Sequence, residues 1–234
     1  MYESTLYFNP NKFYVINKPI VEWDMEAASV AICERYKLLP KDKINALRLS
    51  KKEDRTRQMG LLQRDKEFSD KLIRGIIEMR QLFIDMNNIS DDEILSLHSD
   101  ALILNTNRSL IEDIQGVTIR PKNRYTSYLR YDGIEMFYVS NNIENYIEYK
   151  GASKYMLDCH TLGLTKVLTK FFKMLEDYDP DILRYLRNFE TEYRNDQAPP
   201  ACYIRFGKTV GDFKYKNLKL LGLLATIAYK EGEA

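Results

Sequence analysis

A chain of 234 residues with 44% hydrophobic content has apolar material for one domain, or for one core with subdomains, and 35 Lys and Arg against 34 Asp and Glu leave a formal net charge of +1. That balance excludes a globally basic nucleic-acid binder, so any binding groove has to arise from local segregation of charge. Three widely spaced cysteines, Cys33, Cys159 and Cys202, suggest neither a disulfide framework nor a zinc site and fit a reducing cytoplasm; the absence of a leader pattern and of a long apolar run speaks against secretion and membrane spanning.

The first element follows the turn residues Asn9-Pro10-Asn11: Phe13 to Asn17 reads as a strand, expected to pair with the next one. That next strand, Pro19-Ile-Val-Glu-Trp-Asp24, ends on a carboxylate and passes into helical spacing with Ala28, Val30, Ala31, Tyr36 and Leu38. A carboxylate between two anchored elements is rigidly placed, a good base for a metal ion; the plainer reading is an aspartate that caps the helix behind it. From Lys41 to about Asn88 the chain is charged and helical, without β alternation, and reads as an insertion standing off the sheet. Its second half, with Phe68, Leu72, Ile73, Ile76, Ile77, Leu82, Phe83 and Met86 on one face, is a long amphipathic helix. Its first half carries Lys51, Lys52, Arg55, Arg57, Arg64 and Lys66, interleaved with Glu53, Asp54, Asp65 and Glu67. Such a pattern also describes a solvated helix surface with i,i+4 pairs of little energetic value.

Glu93 to Leu104 reads as a tight hairpin, two short apolar segments flanking His98-Ser99-Asp100. Two aspartates delivered by neighbouring strands are what two-metal phosphoryl transfer needs, because Mg²⁺ takes one or two carboxylates and leaves its other positions to water and phosphates. Further strands are expected at Gly116–Arg120, Tyr125–Tyr131, Ile134–Val139 and Tyr146–Tyr149, with Asp132-Gly133 as a hairpin turn. Lys122, Arg124 and Arg130, interleaved with Tyr125, Tyr128 and Tyr131, could form a basic, aromatic surface for a nucleic-acid backbone, or simply the wet face of a sheet. From Lys154 the helical period returns, breaks at Asp179-Pro180 and resumes through about Arg194. A linker signal at Gln197-Ala-Pro-Pro-Ala precedes a short strand at Cys202–Phe206 and an apolar stretch from Leu218 to Tyr229. Cys159-His160 is set aside as a nucleophile and base, since adjacent helical residues point about 100° apart.

Asp24, with Ile32 eight residues on, Tyr36 twelve on and Leu38 fourteen on, resembles motif A of palm-domain nucleic-acid polymerases, most closely the family B form Asp-x-x-Ser-Leu-Tyr-Pro-Ser-Ile-Ile-x-x-Tyr-Asn. Leu97-His-Ser-Asp-Ala-Leu-Ile-Leu104 resembles motif C, which reads Asp-Thr-Asp-Ser in family B and His-Asp-Glu in family A. The sequence departs from the pattern at Ala27-Ala-Ser-Val-Ala31, carries one acidic residue in motif C unless His98 replaces the other, and lacks the usual motif B strings; Gly60 and Arg64 stand as a divergent version.

The resemblance implies an α+β fold with a polymerase-like palm from residues 1–40 and 89–150, a helical fingers-like insertion at 41–88 and a helical thumb-like region at 151–234. It implies template-directed nucleotidyl transfer with Mg²⁺, using Asp24 and Asp100 as catalytic residues and, with the Met25 carbonyl, as metal ligands. Arg55, Arg57, Gly60, Arg64 and Lys66 would bind the nucleoside triphosphate, and Lys122, Arg124 and Arg130 the nucleic acid. Such brevity suggests a phage or mobile-element minimal enzyme, or a subunit working with a protein partner. The reading from a different class is a catalytically inactive α+β module that binds nucleic acid or protein, for instance a phage accessory subunit.

Overall fold

Pro19 introduces the strand around which the first sheet is laid. In the computed structural model, which describes residues 2, 4–141, 143–151, 162–203 and 210–232, that strand is β3, Ile20–Met25, preceded by β1, Leu6–Phe8, and β2, Tyr14–Val15. Four helices follow: α1, Ala28–Arg35; α2, Lys41–Leu49; α3, Lys52–Leu62; and α4, Lys66–Met86. Then come β4, Ile94–His98; β5, Ala101–Leu104; β6, Asp113–Ile114; and β7, Val117–Tyr125. The remaining strands are β8, Ser127–Tyr131; β9, Ile134–Val139; and β10, Tyr146–Lys150. The described elements close with α5, Leu162–Glu176, α6, Ile182–Arg194, a 3₁₀ turn at Pro200–Tyr203, and α7, Val210–Gly232.

The chain is α+β and divides into two compact units, Met1–Lys12 with Ile20–Arg124, and Phe13–Pro19 with Tyr125–Ala234. The first holds a six-stranded sheet in the order β1-β4-β5-β3-β7-β6, with β4, β5 and β3 paired antiparallel. The second holds β10-β9-β8-β2, antiparallel throughout. This division differs from the expected one, because the strands after residue 125 cluster with the C-terminal helices rather than with β3 and β5.

The helical segment does not stand off the first sheet. Asp65 caps α4 by accepting a hydrogen bond from Phe68 N at 3.1 Å, and Leu72, Ile76, Met79 and Phe83, spaced three or four apart, join Val21, Trp23, Leu97 and Leu102 in one core. The Phe83 and Trp23 rings lie 5.5 Å apart. An apolar stripe this long has to be buried, and the sheet is where it goes. Gly75 lets α4 approach α1 closely, since a Cβ there would stand 2.6 Å from Ile32 Cγ2.

Residues 13–17 also differ from expectation. Tyr14 and Val15 pair with Leu129 and Tyr128 of β8, not with β3, and Ile16 enters the second core. The Asp132-Gly133 turn forms as the sequence predicts, with φ of 52° and 76° joining Tyr131 to Ile134. In the second unit Leu129, Met136, Tyr138 and Ile147 pack against Leu168, Phe171, Phe172, Leu186 and Phe189. The apolar stretch after Leu218 is helical and supplies Leu220, Leu221, Leu224 and Ile227 to the same core. Cys202 and Tyr203 lie in the 3₁₀ turn instead of a strand. The rest of that expected strand, the helix start at Lys154 and the Cys159-His160 pair fall outside the described residues.

Candidate functional site

Two backbone contacts bring Asp24 and Asp100 together. Asp24 near the end of β3 stands opposite Ala101 in the β3–β5 ladder, and the next amide, Met25 N, donates to the carbonyl of Asp100 at 3.0 Å. Ser99 and Asp100 form the two-residue turn between β4 and β5, with Ser99 at φ 41°. Both aspartates line one cavity of about 960 Å³, together with Met25 and the small residues Ala27, Ala28 and Ser29.

Opposed charges cluster where Asp24, Asp100 and Lys122 line the cavity, with buried Glu22 beside Lys122. Lys122 on β7 places Nζ 3.2 Å from Asp24 Oδ2 and 3.8 Å from Glu22 Oε1. Glu22 is 2% exposed and accepts a second contact, Asn123 Nδ2 to Oε2 at 2.8 Å. Burial pushes the Asp100 carboxyl above the usual carboxylate range, and the neighbouring Asp24 and Glu22 charges add to this against the opposing pull of its own backbone amide and Lys122. For Lys122, burial works against the charged form, but Asp24, Glu22 and Asp100 outweigh it and raise its pKa. Arg120, two residues away on β7, bonds Glu26 at 3.0 Å and also faces the cavity.

Helix α3 forms another side. Lys52, Arg55, Thr56, Met59, Gly60 and Gln63 line the cavity, a spacing of three and four residues that selects one face of a helix. Of the residues expected to bind nucleotide, Arg55 and Gly60 are on this face, whereas Arg57, Arg64 and Lys66 are exposed and do not line the cavity. Of those expected to bind nucleic acid, Lys122 is in the cavity beside Asp24. Arg124 is exposed further along β7, and Arg130 lies on β8 in the other unit. The expected aromatic platform is not a surface: Tyr125 and Tyr128 are buried, and Tyr128 Oη donates to buried Glu135 at 2.9 Å.

Lys52, named above among the cations of the helical segment, lines the cavity, as do Thr56, Gln63 and Arg120, which the sequence did not single out; nor did it single out Glu22, buried beside Lys122. Each had a signal: Glu22 shares a strand face with Asp24, Arg120 shares one with Lys122, and Lys52, Thr56 and Gln63 keep helical register with Arg55 and Gly60.

Two carboxylates with the Met25 carbonyl are hard oxygen donors of the kind Mg²⁺ takes while keeping water and phosphate ligands. Among the described residues no group of three or more His, Cys, Asp and Glu is placed to hold a metal ion. No described helix is long and apolar enough to cross a membrane. No curated protein matches the sequence. The profile of the bacteriophage PBS1 gene 130 protein matches residues 1–224, nearly the whole chain, and on that match the chain belongs to this phage protein family.

Proposed function

We propose that this phage protein is a palm-like nucleotidyltransferase that extends a nucleic-acid strand on a template from nucleoside triphosphates. The observation that supports it is the convergence of Asp24 and Asp100 from adjacent strands in a cavity ringed by Lys52, Arg55, Arg120 and Lys122. Its volume of about 960 Å³ is at the upper end for small-ligand sites, roughly 300–1,000 Å³. Bound at Asp24, Asp100 and the Met25 carbonyl, Mg²⁺ would supply neutralisation of phosphate charge and acidification of the attacking hydroxyl. Lys52 and Arg55 hold the phosphates electrostatically, and Arg55 can do so bidentately. Gly60, where a Cβ would meet no atom within 4 Å apart from its chain neighbours and the backbone of its own helix, faces open space beside them. Lys122 balances the carboxylates and orients Asp24.

The ion pair between Lys122 and Asp24 favours a second reading, in which Asp24 is already engaged by a cation of the chain itself and the protein binds nucleic acid or a protein partner without chemistry. Primer extension with Mg²⁺ and all nucleoside triphosphates, on DNA and RNA templates separately, distinguishes them. The wild type should lengthen the primer, and Asp100→Asn should lose roughly a thousandfold or more in rate, the value of several kcal/mol of lost charge stabilisation. A wild type that binds primer-template yet is inert on both templates would support the binding module.

A further inference from the structure

A buried guanidinium lies behind the hairpin that carries Asp100. Arg80, on α4, is 1% exposed, and its hydrogen bonds go to main-chain carbonyls. Nη2 donates to Ser4 O at 2.6 Å, and Nη1 donates to Ser99 O at 3.0 Å and to Thr5 O at 3.5 Å. Among the described residues no carboxylate forms an ion pair with Arg80; burying a charge on carbonyl partners alone is costly, and an apolar side chain of the same length would fill the space more cheaply. What the apolar chain lacks is the planar fork, which can hold several carbonyls in fixed relation.

The turn needs such a hold. Ser99 is a non-glycine residue at positive φ, a conformation that persists only where its surroundings impose it. Its amide donates to Thr5 O at 2.6 Å, and its carbonyl is the one that Arg80 binds. That carbonyl shares a rigid peptide plane with the Asp100 amide, and the Asp100 carbonyl in turn accepts from Met25 N. The peptide groups on both sides of the Asp100 Cα are therefore pinned, one by Arg80 and one by β3.

Resting on the proposed metal-binding role of Asp100, we propose that Arg80 is a positioning residue that fixes the peptide plane before Asp100 and so sets the direction from which its carboxylate enters the cavity. Small displacements of such a group cost affinity and rate steeply.

The test uses the full chain with Arg80→Met, Arg80→Lys, Asp100→Asn and the Arg80→Met/Asp100→Asn double variant. Two readouts are taken: amide exchange at Ser99 and Asp100, with α6 amides as control, and affinity for Mn²⁺ alone as a spectroscopic probe. Arg80→Met should speed exchange at the turn about tenfold without changing α6, and should weaken Mn²⁺ binding about tenfold, as loss of a supporting group around a metal ligand does. The double variant should bind no more weakly than Asp100→Asn alone, because Arg80 acts through Asp100. Additive losses, or unchanged turn exchange in Arg80→Met, would overturn the inference. If Asp100→Asn leaves Mn²⁺ affinity unchanged, the metal role of Asp100 fails and takes the inference with it, a case recognised by a turn that still loosens in Arg80→Met. Loss of cooperative melting in both Arg80→Met and Arg80→Lys would assign Arg80 to the stability of the whole unit, which also overturns it.

Discussion

Burial and the charges of Asp24 and Glu22 work against ionised Asp100, while Lys122 and its own backbone amide favour it, and the balance is a raised pKa. For a carboxyl whose folded pKa exceeds its unfolded value of about 3.9, the stabilising contribution belongs to the protonated form. It is present below the unfolded pKa and lost as pH rises through the folded one, so at pH 7 the native state carries a cost that asparagine would not. Asp100→Asn should therefore melt at a higher temperature than the wild type at pH 7, with the difference shrinking as the pH is lowered towards 4. A lower melting temperature at pH 7 would mean that the pull of Lys122 outweighs burial. Functional sites commonly hold such residues against stability.

On α3, periodicity sorts the cations by face. Arg55 lines the cavity while Arg57, two residues on and so about 200° around the helix, is turned away, and Arg64 lies past the helix end. If phosphate binding takes place in the cavity, Arg55→Ala should weaken nucleic-acid or triphosphate binding. It should also reduce the slope of log affinity against log salt by about one for each phosphate no longer neutralised. Arg57→Ala and Arg64→Ala should leave both close to wild type. The measurement is a salt titration of all four proteins, and equal losses for Arg55 and Arg57 would show that diffuse charge, not the cavity face, does the binding.

The molecule as a whole is threaded so that seven N-terminal residues, Phe13–Pro19, belong with the second unit while the sequence on either side of them belongs with the first. β2 supplies the edge of the second sheet beside β8, Ile16 is buried in its core, and Asn17 Nδ2 donates to Leu175 O at 3.1 Å. Burying one isoleucine side chain is worth about 1.5–3 kcal/mol, a large share of a domain stability of about 5–15 kcal/mol. A fragment of residues 125–234 should accordingly melt well below the same fragment with residues 13–19 attached through a flexible linker, as followed by circular dichroism. Equal melting temperatures would make β2 dispensable.

Period, turn chemistry and capping are local properties, and for that reason α4, the Asp132-Gly133 hairpin and the Ser99-Asp100 turn could be read from residues alone. The sequence by itself also determined that Asp24 lies near the end of a strand and that Asp100 turns a hairpin. Which strand pairs with which depends on contacts between residues far apart in the chain. Only the tertiary structure decided that Tyr14 and Val15 join β8, that α4 covers the first sheet, and that Lys122 of β7 meets Asp24 and Glu22 of β3. Arg80 shows the limit most plainly. In sequence it is one cation among many on an amphipathic helix, and its hold on Ser4, Thr5 and Ser99 exists because β1 lies beside β4 and Arg80 of α4 reaches both the chain before β1 and the β4–β5 turn. Local interactions write themselves into short stretches of sequence, whereas a buried charge is explained by partners that only the folded chain brings within reach.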